Sequence, residues 1–345
     1  MAPKTTKQWV VRGTSGFDDL VYTEAAIPSV GENEVLVHLR GASLNYRDLA
    51  IPKGFYLFPV NFPVVAGSDG AGEVIAVGPK VTRWKPGDRV VTLFNQTHYY
   101  NPVDAATVAT GLGGSLDGTL RQYAVFNENG LVRAPSNLDY IEAGTLTCAG
   151  ITAWNALFGM RPLKPGQWVL VQGTGGVSIF GLQFAKAAGA RVIATTSSVE
   201  KAEALRKLGA EHVINYKEDP NWGETARNLT GGVGVDHILE VGGPATVDQS
   251  IKAIKLDGMI NIIGLLAGPD ANSKAGILDA LKHMCTFRGV FVGSREQMED
   301  MVRAIEVKNI KPVVDKEVFP LETAREAYEY MLAQRHFGKI AISID

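Results

Sequence analysis

The sequence predicts a two-part α/β protein, in which an irregular β-barrel-like part accompanies a doubly wound parallel sheet. Three observations lead there. The chain has 345 residues, more than one compact core usually organises. Its first 150 or so residues are short strand-like runs punctuated by Gly, Pro and Asn. Beyond them strand patterns alternate with helix patterns, the signature of βαβ units.

In the first part the strand-like runs are Lys7–Arg12, Val35–Ala42, Gly72–Val77, Arg89–Phe94 and Tyr123–Phe126. Gly78-Pro79 and Pro86-Gly87-Asp88 are turn signals between such runs. In the second part Trp168–Gln172 reads as a buried strand, followed by a glycine loop and the amphipathic stretch Ser178–Ala188. Strand Arg191–Thr195, helix Val199–Leu208 and strand His212–Asn215 come next. Later strands are expected at His237–Glu240, Met259–Ile263 and Thr286–Val292. From about 297 the chain has one or two helices and a closing strand, Lys339–Ile344, able to return to the first part. The expected division is therefore 1–152 with 297–345, and 153–296 between them.

Composition narrows the function. Hydrophobic content of 46% with 38 Gly and 16 Pro suits a loop-rich α/β protein, not a disordered or fibrous one. A net charge of −2, without blocks of like charge, argues against nucleic acid or an anionic membrane as the main partner. No apolar run is long enough to span a bilayer. The opening MAPKTTKQWVV lacks the apolar core of a secretory signal. Two cysteines, Cys148 and Cys285, are too few for a disulfide scaffold, so a cytoplasmic setting with reduced thiols is expected. The six histidines include no close pair at metal-binding spacing.

The segment WVLVQGTGGVSIFGLQFAKAAGARVIATTSSVEKAEAL carries the most information. A strand runs into Gly173, Thr174, Gly175 and Gly176, and a helix departs through Val177 and Ser178. Glycines in such a turn let backbone N–H groups approach a pyrophosphate at the helix N-terminus. Ser178 stands where a third glycine is usual, but the strand–turn–helix–strand context supplies the physics of the motif. At the end of the next strand, an NAD enzyme places an acid for the ribose 2′-hydroxyl. Here the window reads Ala194-Thr195-Thr196-Ser197-Ser198, with no carboxylate and with Lys201 close by. Hydroxyls and a cation suit a 2′-phosphate, which favours NADP(H), with Thr196, Ser197, Ser198 and Lys201 as its residues. Ser197 and Glu200 also have the spacing of a helix capping box.

The pieces LNYRDLAIPKG, PVVAGSDGAGEVIAVG, KPGDRVV, LTCAGITAW, the glycine loop and GKIAI follow one another in the order of the medium-chain dehydrogenase/reductase superfamily, which the whole chain resembles. The resemblance implies a GroES-like catalytic domain, a Rossmann domain and an active-site cleft between them. It also implies a homodimer made by edge pairing of Rossmann sheets, here through Thr286–Val292. Zinc-dependent members hold catalytic zinc with Cys, His and Cys. Matched motif to motif, those positions carry Asn45, Ser68 and Cys148, and no cysteine lies between Leu93 and Gly118, where a structural zinc lobe would sit. Asn, Ser and one thiol do not make the N/S set zinc prefers, so no metal is expected. Cys148 reads as a small apolar packing residue.

The chain thus resembles the zinc-independent branch: quinone oxidoreductases, 2-enal or 2-enone reductases, and the enoyl-reductase domains of polyketide synthases. The activity implied is NADPH-dependent reduction of a small molecule, either the C=C of an α,β-unsaturated carbonyl or a quinone. Such chemistry needs donors or cations at the developing oxyanion and a proton source. Asn45, Tyr46 and Arg47 are the candidate donors, Tyr46 also the candidate acid, and Asp48 an orienting group. Tyr216, Gly264, Leu265, Phe291, Val292 and Lys339 are further cofactor candidates by resemblance, and Phe55, Tyr56, Phe94 and Phe291 are candidates for an apolar substrate wall. An alcohol/carbonyl oxidoreductase of the same fold is the alternative, and an NADPH-binding protein with little turnover the third possibility.

Overall fold

A computed structural model describes residues 4–268, 273 and 275–345. The chain divides into two compact units: Met1–Ile151 with Gly293–Asp345, and Thr152–Val292. The return to the first unit falls at Gly293, where the sequence pattern suggested 297.

The first unit holds a seven-stranded sheet and a three-stranded one. At the centre of the larger lies Glu34–Ser43, whose Val35, Val37 and Leu39 share one face and are fully buried in the core. It pairs antiparallel with Asp69–Val77, with Tyr123–Asn127 and with the closing strand Lys339–Ser343. Two register pairs bring distant side chains together: Ser43 faces Asp69 on one side and Ala341 on the other. Leu44 N donates to Ile340 O, so the ladder runs on and the start of the closing strand comes beside Asn45. Gly338 makes that approach possible. Its φ is +78°, and a Cβ there would lie 2.2 Å from Val313 O, so only glycine fits.

The second unit is a six-stranded parallel sheet. Its order is His212–Asn215, Arg191–Thr196, Trp168–Gln172, Val235–Glu240, Ile254–Ile262 and Thr286–Gly289. Leu170, Ile193, Ile238 and Ile260 are wholly buried. Strand order reverses between Trp168–Gln172 and Val235–Glu240, the switch point where ligands bind in doubly wound sheets. The last strand ends at Gly289, short of the expected Val292. Val290 N still donates to Ile262 O, but Val292 turns to φ +47° and leaves the extended conformation. Among the described residues no helix is long and apolar enough to cross a membrane.

Candidate active site

The polar run after the central strand is a helix start. Asn45 takes an extended conformation (φ −124°, ψ 159°) and caps the short helix Tyr46–Ala50. Its N–H donates to Asp48 Oδ2 at 2.7 Å, and Asp48 N–H returns to Asn45 O at 2.8 Å. Asn45, Arg47 and Asp48 are buried, whereas Tyr46 is 39% exposed. Burial drives the Asp48 carboxyl up to about 6, against the opposing pull of Arg47.

Lys339 enters this cluster from the far end of the sequence. Only 3% of it is exposed, and its Nζ donates to Asn45 Oδ1 (2.5 Å), Leu44 O (2.8 Å) and Asp69 Oδ2 (3.2 Å). Asp69 is fully buried; Ser43 Oγ lies 2.8 Å from its Oδ2, and Ser68 Oγ donates to its Oδ1 at 3.1 Å. All three ammonium hydrogens of Lys339 are engaged inside the first unit. That differs from the cofactor contact the resemblance implied, because none is left for a phosphate.

Arg47 is a buried cation with its own cage. Its Nε donates to Tyr56 Oη (3.1 Å) and its Nη1 to Leu112 O (2.9 Å), while the guanidinium lies 4.9 Å from the Tyr56 ring centre and 4.8 Å from that of Phe94. Of the expected aromatic wall, Tyr56 and Phe94 clasp Arg47, whereas Phe55 is exposed with its ring 6.1 Å from that of Tyr46.

The positions matched to zinc ligands do not suit that ion. The Asn45 oxygen faces an ammonium, and the Ser68 hydroxyl is turned to Asp69. Burial and then the Asp69 charge push the Cys148 thiol up to about 12, so it offers no thiolate at neutral pH. Lys339 already neutralises the nearby carboxylate, and a second cation would meet its field.

The glycine loop of the second unit keeps the open backbone that the sequence pattern called for. Gly173 has φ +73°, and a Cβ at Gly173 or Gly175 would find nothing within 4 Å, leaving open backbone before the twelve-residue helix Gly176–Ala187. Thr174 and Val177 lie on this turn and first helical turn. Ser178 explains the missing third glycine: it is buried and its hydroxyl donates to Gln172 O at 2.6 Å, tying helix to strand. Close helix–strand approach instead rests on Gly181, where a Cβ would lie 2.4 Å from Leu239 Cδ2. A glycine inside a helix pattern is the sequence signal for such a contact.

Glu240, unnoticed in the sequence, locks the loops at the switch point. It is fully buried and accepts from Gln172 Nε2, from the N–H groups of Gly242 and Gly243, and from the hydroxyls of Thr246 and Ser250. Gln172 Oε1 in turn accepts from Val241 N and Gly242 N. Gly264 N–H donates to Glu240 O, and a Cβ on Gly243 would lie 2.8 Å from Leu265 Cα, so these loops pack closely. At the end of the second strand the helix cap is Ser198, whose Oγ accepts from Lys201 N at 3.2 Å, not the expected Ser197. Tyr216 is exposed beside it, its N–H on Thr196 O. Val292, one residue after the half-buried Phe291, holds a left-handed backbone rare for a β-branched residue. Asn155 Nδ2 pins its carbonyl at 2.7 Å, and Arg288 braces Asn155.

Comparison with known proteins places the chain. Residues 31–136 match the family described as alcohol dehydrogenase GroES-like domain, and residues 176–307 match that described as zinc-binding dehydrogenase. A zinc-type alcohol dehydrogenase-like protein of Schizosaccharomyces pombe is 50% identical over 338 residues, covering 96% of this chain and 97% of its own. Among solved structures, a candidate alcohol dehydrogenase of Sinorhizobium meliloti 1021 aligns over both full chains with a TM-score of 0.91 and 41% identity. An NAD-dependent alcohol dehydrogenase aligns at TM-score 0.88 and 32% identity, covering 98% and 100% of the two chains. A quinone oxidoreductase of Pseudomonas syringae pv. Tomato DC3000 aligns with TM-score 0.82 and 26% identity, over 98% and 99%. The chain belongs to the medium-chain dehydrogenase/reductase superfamily and is an oxidoreductase of that family, with a GroES-like domain and a Rossmann-like parallel sheet.

Proposed function

We propose that this protein is an NADPH-dependent, zinc-independent reductase of an activated alkene, an α,β-unsaturated ketone or aldehyde, or of a quinone. The observation that carries the reading is at Asn45, a position matched to a zinc ligand: its amide oxygen rests on the Lys339 ammonium, and the buried Arg47 guanidinium lies two residues on. When bound, reduced nicotinamide supplies a hydride. With an enone, the hydride adds to the β-carbon, the carbonyl oxygen becomes an enolate oxyanion, and a proton closes the α-carbon, giving the saturated ketone and NADP⁺.

The residues of the chain divide this work. Asn45 offers an amide N–H to the oxyanion, and the Arg47 charge adds its field from inside its aromatic cage. Tyr46, exposed at the helix start, is the proton donor to the α-carbon. Asp48 holds the Asn45 backbone by its 2.7 Å bond. Gly173 to Ser178 cradle the pyrophosphate, while Thr196, Ser197, Ser198, Lys201 and Tyr216 receive the 2′-phosphate, with no acid among residues 194–198 to repel it. Gly264, Leu265, Phe291 and Val292 form the nicotinamide end. Assembly as a homodimer is supported by the outermost strand Thr286–Gly289, flanked by exposed Ile277, Leu278, Leu281 and Met284.

The test is turnover of NADPH against NADH with enones, quinones and aldehydes, with and without chelator. Preference for NADPH, saturated ketone from an enone, and no effect of chelator are expected. Activity lost on chelation and restored by zinc contradicts it. The alcohol dehydrogenase names of the relatives favour the second reading, carbonyl reduction, for which the product from a 2-enone is an allylic alcohol.

A further inference from the structure

We infer that Lys339 is a positioning residue that sets which face of the Asn45 amide the substrate meets; this rests on the reading of Asn45 as an oxyanion donor. A side-chain amide has two nearly isosteric orientations related by a half turn. One presents N–H groups, which stabilise an oxyanion, and the other presents oxygen, which repels it. Lys339 removes the choice. Its ammonium has donors only, and at 2.5 Å it accepts no neighbour but the amide oxygen. A flipped Asn45 would press NH₂ against NH₃⁺.

The complementary observation is at the other end of the amide. Asn45 Nδ2 is buried and has no hydrogen-bond partner among the described residues. Buried polar atoms are nearly always bonded, so a buried donor without a protein partner is what a site that receives a substrate oxygen would hold. Lys339 Nζ, with its three hydrogens on Asn45, Leu44 and Asp69, has none to give a substrate and acts through Asn45.

The lysine is itself held from every side. Gly338 fixes its backbone, Asp69 balances its charge, and Ser43 and Ser68 meet both Asp69 oxygens. Asp48 and Arg47 form a second buried pair at 3.6 Å. With Asn45 Oδ1 polarised by the ammonium, its N–H groups become better donors to developing negative charge.

The experiment compares wild type with Asn45→Ala, with the charge-neutral double variant Lys339→Met/Asp69→Asn, and with the triple combination. NADPH and a 2-enone are the substrates. Asn45→Ala is expected to lower kcat by about 10²–10³, the usual cost of losing one oxyanion donor. The double variant should lose about tenfold to a hundredfold in kcat, with KM for the enone and NADPH binding within about threefold. The triple variant should fall no further than Asn45→Ala, because the lysine works only through the amide. Wild-type kcat in the double variant, or a triple variant whose loss is the product of the other two, overturns the inference while leaving the reductase reading intact. A second measurement does not depend on turnover: the side-chain ¹⁵NH₂ signals of Asn45, identified by their absence in Asn45→Ala. They should shift and broaden in the double variant as the amide gains a second orientation. Unchanged signals overturn the inference even if no enone is reduced.

Discussion

The Asn45 cluster and the glycine loop solve opposite problems. In the loop the chemistry lies in the backbone: Gly173 and Gly175 leave space, and the signals stand within six residues of one another. In the cluster it lies in side chains drawn from Asn45, Asp69 and Lys339, brought together by strand register. Two cations and two carboxylates are buried there, whereas the loops by Gly173 contain one buried carboxylate, Glu240, met by five donors. The difference teaches that a backbone site can be read locally and a charge cluster cannot.

The same substitution placed in both regions should break this comparison most visibly. Gly338→Ala meets a backbone oxygen at 2.2 Å and a left-handed φ, and should cost about 3–5 kcal/mol of stability, the range of severe local strain. Gly173→Ala meets only the φ penalty, about 1–2 kcal/mol, with its larger effect on NADPH affinity. Urea unfolding and cofactor titration measure both; equal stability losses would contradict the contrast.

Ser197→Asp probes the loop side by charge. It should shift the NADPH/NADH ratio of kcat/KM toward NADH by on the order of tenfold to a hundredfold, as a carboxylate repels the 2′-phosphate. An unchanged ratio removes residues 194–198 from cofactor choice. A smaller effect is expected of Asn155→Ala, which frees Val292 O and leaves Arg288 without its amide oxygen. About 1–2 kcal/mol of stability should go with it, read by urea denaturation.

The smallest effect is pH-dependent. Asp48 titrates at about 6 when folded, above its ordinary 3.8, so the folded state holds this proton more tightly than the unfolded chain. Its contribution is fully present below about 4 and is lost as pH rises through about 6. Thermal melts of wild type and Asp48→Asn should therefore draw apart in favour of the variant as pH rises from about 4 to about 6, by a few degrees at most (about 1–3 °C), and stay parallel above that. A constant difference contradicts the raised carboxyl.

Much of the fold was readable because it depends on local patterning. Trp168–Gln172 falls where its apolar run puts it, since a parallel strand buried on both faces has little else in it. Ser178 broke the glycine pattern without breaking the loop because its hydroxyl caps the strand's last carbonyl. The helix cap shifted from Ser197 to Ser198, a one-residue ambiguity inherent in adjacent serines. Lys339 was legible only through the resemblance, as a cofactor candidate, and its place beside Asn45 was not. A lysine opening a strand is ordinarily solvated, and only the pairing of Ala341 with Ser43 places it beside Asn45. Asn45 itself was visible as a polar residue at a strand end, but its free amide face depends on that lysine.

The central claim is that hydride goes to carbon conjugated with a carbonyl whose oxygen rests on the Asn45 amide. Reduction of a 2-enone with NADPH carrying deuterium at the transferred position, in the presence of chelator, tests it most directly. Deuterium at the β-carbon of a saturated ketone is the expected result. Deuterium on the carbinol carbon of an allylic alcohol would contradict it.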